Sequence, residues 1–235
     1  DIAFIKKHSF VNEEDDKKFM GCFLHDIMEE SDELFELRML FYNKYPVWSQ
    51  ELYIDVKAMM KHCESRTIRL ISFWLKNKII SKAKNVYRYE EELLAITDSY
   101  LLQEAKYVLD ELTQYIPLQD ADELYFSDWS GSFFQRRSLE RAAVELLKKA
   151  NVAIIATDAE YFWKYYAPYM GRNYAIFNEL ILHGLQFLPE SYSNQVVEYL
   201  TGDFDKKIFD RTSGAEDQLE LVKKALKVHT KYCTE

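Results

Sequence analysis

Only six glycines and four prolines punctuate the 235 residues of this chain. Average usage, about 7% and 5%, would supply roughly 16 and 12. Sandwiches and barrels need a turn every 8–12 residues, and turns draw heavily on these two residues. A chain with so few breakers is therefore expected to be all-α, with long helices. The breakers that exist stand where helices stop and start. From Tyr174 to Glu235 the sequence reads as two or three helices: Pro189 opens PESYSNQVVEYL, Gly202 closes it, the loop GDFDKKIFDRTSG follows, and Ser213 and Glu216 set up EDQLELVKKALKVH.

The same reading extends upstream. Asn12 caps EEDDKKFMGCFLHDIMEE, whose acidic first turn complements the helix dipole. Ser31 caps DELFELRMLFYNKY, and Pro46 ends it and opens a third helix through VWSQELYIDVKAMMKHC. A fourth covers TIRLISFWLKNKII. Residues 81–96 and 99–116 form a pair joined at Thr97-Asp98, with Asp98 as the cap. Ser138 caps LERAAVELLKKANVAIIA, and Asp158 restarts a helix, AEYFWKYYA, that Pro168 and Gly171 end. The β-branched run Val152–Ile155 has strand propensity but no strand to pair with, so it is assigned to helix. The total is about 10–12 helices with short connections, which predicts antiparallel neighbours. No tetratricopeptide or ankyrin consensus is matched. The expected architecture is an irregular α-solenoid of degenerate TPR/HEAT-like antiparallel helix pairs, the alternative being one irregular bundle. Residues 117–137 are the least periodic and read as a linker with one short helix between blocks 1–116 and 138–235.

The formal net charge is −9, which repels phosphate backbones. Lys76, Lys78, Lys82, Lys84 and Arg88 form a local basic run that reads as a solvated helix face, with RNA or DNA binding as a minor alternative. Cys22, Cys63 and Cys233 have no metal or redox spacing and suit reduced thiols in a cytoplasmic protein. No apolar run approaches the ~20 residues that span a bilayer; the longest, 152–156, is far shorter. The chain begins at Asp1 without a Met and is read as a piece of a longer protein.

The sequence contains no phosphate-binding glycine loop, HExxH, CxxC or GxSxG, so no catalytic residue, cofactor or metal is expected. His25 and Glu29 share a helix face but lack a third ligand and read as a surface pair. His62 and Cys63 are adjacent and point about 100° apart on a helix, too far to act as a nucleophile and base. Asp203, Asp205 and Asp210 resemble a calcium loop only in the first spacing, since Lys207 stands where an oxygen ligand is needed. The aromatic run Tyr161, Phe162, Trp163, Tyr165, Tyr166 and Tyr169 cannot all face one side of a helix, so it divides between core and interface. SDWSGSFFQRR carries Trp129, Phe133, Phe134 and Arg136 on a loop, where aromatics with arginine suit recognition or pack back on the helices. The candidate protein-binding residues are therefore Trp129, Phe133, Phe134, Arg136, Tyr161, Trp163, Tyr165 and Tyr169.

The tail LPESYSNQVVEYLTGDFDKKIFDRTSGAEDQLELVKKALKVHTKYCTE resembles the C-terminal helical-repeat region of prokaryotic STAND-type NTPases of the antiviral AVAST group. The matching positions are Tyr192, Tyr199, Leu200, Phe209, Thr212, Ser213, Gly214, His229, Tyr232 and Cys233. The resemblance covers about 50 residues well. It implies a non-catalytic sensor fragment that recognises a protein, in that family a phage protein, while a nucleotide-binding module elsewhere responds by oligomerising. The alternative is a self-contained helical enzyme or small-ligand-binding protein with its site between helices near Tyr161–Tyr169.

Overall fold

The computed structural model describes residues 7, 12–24, 31–46, 63–77, 93–124, 127–129, 138–202 and 218–233. All regular structure among them is helical. In chain order the α-helices are α1 Glu13–Leu24, α2 Asp32–Lys44, α3 Glu64–Asn77, α4 Asp98–Thr113, α5 Ala121–Leu124, α6 Leu139–Tyr166, α7 Ala175–Leu185, α8 Ser193–Thr201 and α9 Gln218–His229. Residues 47–62 of the expected third helix, the first of the 81–96/99–116 pair up to residue 92, and the loop 203–217 lie outside the described residues. The chain divides into two compact units at Lys84/Asn85. The sequence reading instead puts the division at 117–137. That segment does hold the short α5, but α4 and α6 pack together across it, which places both in one core.

In the first unit the capping signals act as read. Asn12 accepts the Asp15 N–H at 2.9 Å, and Ser31 accepts that of Leu34 at 3.2 Å. α3 starts at Glu64, earlier than expected. The core joins Phe35, Leu37 and Phe41 of α2 to Ile68, Ile71 and Trp74 of α3, all at most 1% exposed. Ion pairs fix the register: Arg66 meets Asp32 at 2.6 Å and Arg69 meets Glu36 at 2.6 Å. Tyr42 lies against Phe73 further along. The partner numbers rise together, so α2 and α3 run in the same sense.

In the second unit α4 is capped by Thr97, whose hydroxyl accepts the Tyr100 N–H at 3.3 Å. Asp98, the expected cap, sits instead in the first turn, where its charge complements the helix dipole. Lys149 reaches the Leu94 carbonyl, Lys106 meets Asp158 and Thr113 meets Tyr165. These partners also rise together, so α4 and α6 share a direction. The run Val152–Ile155 is helical within α6, because a full apolar helix face overrides local β propensity.

α7 is buried over almost its whole circumference and forms the centre of this unit. It carries Glu179, which is 0% exposed. A buried carboxylate needs partners. The Arg141 guanidinium grips it with two bonds, 2.9 and 2.7 Å, and the Lys148 ammonium lies 2.8 Å away. Glu145 meets both cations from their own helix, at 3.3 and 2.9 Å. Positions 141, 145 and 148 share one face of α6, and the two cations and two carboxylates sum to zero charge. Burial alone would push the Glu179 carboxyl up, but Arg141 and Lys148 outweigh it and hold it at about 2. A second buried tie closes the unit. His229 Nε2 donates to the Leu185 carbonyl at 2.7 Å, which leaves Nδ1 to accept from the Ser193 hydroxyl at 2.9 Å.

The depressed Glu179 carboxyl contributes stability that is complete above its ordinary value near 4.5 and is lost as pH falls from there towards 2. Glu179→Gln is expected to lower unfolding free energy in urea by about 3–5 kcal/mol at pH 7. It should also flatten the fall in stability between those two pH values. An unchanged acid limb would show that the carboxylate carries no such stabilisation.

Candidate functional site

The aromatic run of α6 owes its placement to one residue. Asp158 has φ −156° and ψ 74°, outside helical geometry, so α6 bends sharply there. Its side chain recaps the chain: Oδ1 accepts the Tyr161 N–H at 3.0 Å, and Oδ2 takes the Lys106 ammonium at 2.8 Å. The Lys106 bond, then the Tyr161 N–H, hold the Asp158 carboxyl below its usual value. The bend brings the Tyr166 hydroxyl to within 2.9 Å of the Asn151 amide. A straight helix would separate those residues by about 22 Å along its axis, beyond the reach of both side chains.

This geometry divides the rings. Phe162 and Tyr166 are fully buried, whereas Tyr161, Trp163, Tyr165 and Tyr169 remain half-buried. Tyr161 and Tyr165 stack at 5.9 Å, with the Lys106 ammonium 4.1 Å from the Tyr161 ring centre. The Thr113 hydroxyl donates to the Leu109 carbonyl at 2.7 Å, so the Tyr165 hydroxyl donates to Thr113. Burial pushes the Tyr165 phenol up to about 12, which keeps it a donor. Tyr169 stacks on Phe177 of α7 at 3.9 Å. Trp163 turns elsewhere, to Tyr192 at 6.3 Å and Tyr199 at 6.4 Å. The structure thus joins Tyr161 to Tyr165 but sends Trp163 to α8. Trp129 is half-buried and its carbonyl lies 3.4 Å from the Arg141 guanidinium. Phe133, Phe134 and Arg136 lie outside the described residues, as do His25, Glu29, His62, Asp203, Asp205 and Asp210.

Of the positions that carry the family resemblance, Tyr192 and Tyr199 flank Trp163, Leu200 is buried, and His229 ties α9 to α7 and α8. The Cys233 thiol points to the His229 carbonyl at 3.5 Å. Phe209, Thr212, Ser213 and Gly214 lie outside the described residues.

A second feature had no place in the sequence reading. A groove of about 500 Å³ opens between α4, α6 and the end of α7. Its apolar walls are Leu101 and Leu102, Val152, Ala153 and Ala156, and Phe187. Leu102 and Phe187 are exposed at its rim, 56% and 46%. Asp98, Glu145, Lys148, Lys149 and His183 supply its polar atoms. The available sequence signal was the pair Ala153 and Ala156, small residues three apart that leave a hollow among bulkier neighbours. Among the described residues, no group of three or more His, Cys, Asp or Glu side chains is placed to hold a metal, and no helix is long and apolar enough to cross a membrane.

Comparison with protein-family models, curated proteins and solved structures finds no match to this chain.

Gly184 reports on the bend. A Cβ there would run into the edge of the Phe162 ring and touch Ile155 at 3.4 Å. Because Phe162 is fully buried it cannot swing aside. Gly184→Ala is expected to cost about 1–3 kcal/mol in thermal or urea unfolding, and Phe162→Leu in the same chain should recover part of it. A neutral Gly184→Ala would mean that the bent segment does not lie on α7.

Proposed function

We propose that this chain is a non-catalytic, repeat-like helical element that recognises a protein, as the sensor part of a larger STAND-type antiphage NTPase. The observation that carries the recognition reading is the set of half-buried rings at Tyr161, Tyr165 and Tyr169. Each is held by a stated neighbour, so little side-chain entropy remains to be lost on binding. Rigid, half-buried aromatics are among the residues that anchor protein interfaces. Within the second unit, α4 and α6 share a direction with the short α5 between them, which is compatible with the repeat-like reading. The family reading rests on the tail resemblance, whose described positions are packing residues and carry no chemistry of their own.

A second reading, a helical protein that binds a small ligand, is favoured by the groove. The groove lies beside α4 and α7 and not at the Tyr161–Tyr169 site that the sequence suggested for such a ligand.

The reading frame that encodes this chain tests the family assignment. A P-loop nucleotide-binding module on the same polypeptide is expected, and a frame without one contradicts the assignment. In that polypeptide, changing Tyr161 and Tyr165 together to Ala is expected to abolish oligomerisation triggered by the recognised phage protein. Nucleotide binding should persist. Unchanged triggering by the double variant would remove the aromatic ridge as the recognition surface.

A further inference from the structure

We propose that the groove between α4, α6 and α7 binds an apolar carboxylate, with its chain along the apolar walls and its carboxylate on Lys149. The inference stands apart from the protein-recognition reading and uses none of the aromatic ridge. The volume, about 500 Å³, lies in the range of small-molecule sites, roughly 300–1,000 Å³. The walls formed by Leu101, Leu102, Val152, Ala153 and Phe187 offer nothing to a polar chain. Recognition of a headgroup therefore falls to the charged residues, and their states differ. Lys148 and Glu145 are bound up with Arg141 and Glu179 in the neutral four-charge cluster. Asp98 is exposed in the first turn of α4, where the helix dipole offsets part of its charge and water screens the rest. Lys149 differs from both. Its ammonium meets a neutral partner, the Leu94 carbonyl at 3.0 Å, and that bond spends one of its three N–H donors. Lys149 is thus the groove's cation outside the four-charge cluster, with two donors to give beside an apolar channel. A carboxylate on an unbranched or aryl apolar chain satisfies both features at once. An apolar cation would meet Lys149 with like charge.

Calorimetric titration of the whole chain with decanoate, below its micelle concentration, tests this. Decanol and decyltrimethylammonium serve as the uncharged and cationic controls. Decanoate is expected to saturate at one site per chain and to bind roughly tenfold more tightly than decanol, the difference that one charge-assisted hydrogen bond makes. Lys149→Met should erase that difference while leaving decanol binding unchanged, and Ala153→Trp, which fills the groove, should abolish both. Circular dichroism checks that each variant is folded. If either is not, contacts between the decanoate chain and the Leu102 methyls in nuclear Overhauser spectra locate the ligand in the unaltered protein. Absence of saturable decanoate binding, equal affinity for decanol, preference for the cation, or contacts away from Leu102 would each overturn the proposal.

Discussion

The carboxylate of Glu179 sets the terms for the whole second unit. It is an ionised group at the centre of the most apolar of the described helices, and such a group persists only where opposite charge and hydrogen bonds surround it. Those come from one face of α6, through Arg141 and Lys148. The pairing does what apolar contacts alone do poorly. It fixes the rotation and the axial position of α7 against α6, because a slip of one residue would leave the Glu179 carboxylate buried without its partners, while Arg141 and Lys148 would keep only Glu145. Arg141 also reaches towards the Trp129 carbonyl, and Ser138, which caps α6, donates to the carbonyl of Asp128. The same cluster thereby ties the start of α6 to the segment before it.

The bend at Asp158 carries this order outwards. With α7 fixed, the part of α6 beyond the bend lies on it through Phe162 at Gly184, and the turn that follows α6 through the stacked pair Tyr169–Phe177. One side of that segment is consumed by packing, and the remaining rings are left half-open against α4 and α8. The surface proposed for recognition is a by-product of how the core closes. The groove is another: α4 and α6 are held apart where Ala153 and Ala156 fail to fill the space between them.

Much of this was legible in the sequence, for physical reasons that can be named. The scarcity of glycine and proline gave the all-helical class, and side-chain caps gave the starts at Asn12, Ser31 and Ser138, since a capping bond is a local matter of three residues. The break at Asp158 was legible for the same reason. Thr97 and Asp98 were not separable, because both can accept the same backbone N–H and only the backbone angles decide between them. The Glu179 cluster was invisible, since a glutamate within AIFNELILHGL has no local partner and its cations lie 31 and 38 residues away. The division at Lys84/Asn85 has no mark in local composition, because it follows from non-local packing such as that of α4 on α6 across 117–137. Of the candidate residues, the aromatics on α6 could be sorted into buried and half-buried only once the bend was known. The groove's small residues, Ala153 and Ala156, stand in the sequence, but the spacing of the helices around them does not.

Native-state hydrogen exchange addresses the dependence on Glu179 most directly. The amides of α6 before the bend and those of α7 are expected to exchange together, at the free energy of global unfolding of the second unit, because neither helix can open without stripping the buried charges of their partners. Exchange of α7 at a distinctly lower free energy, with α6 still protected, would contradict the claim that the charge cluster binds the two helices into one cooperative core.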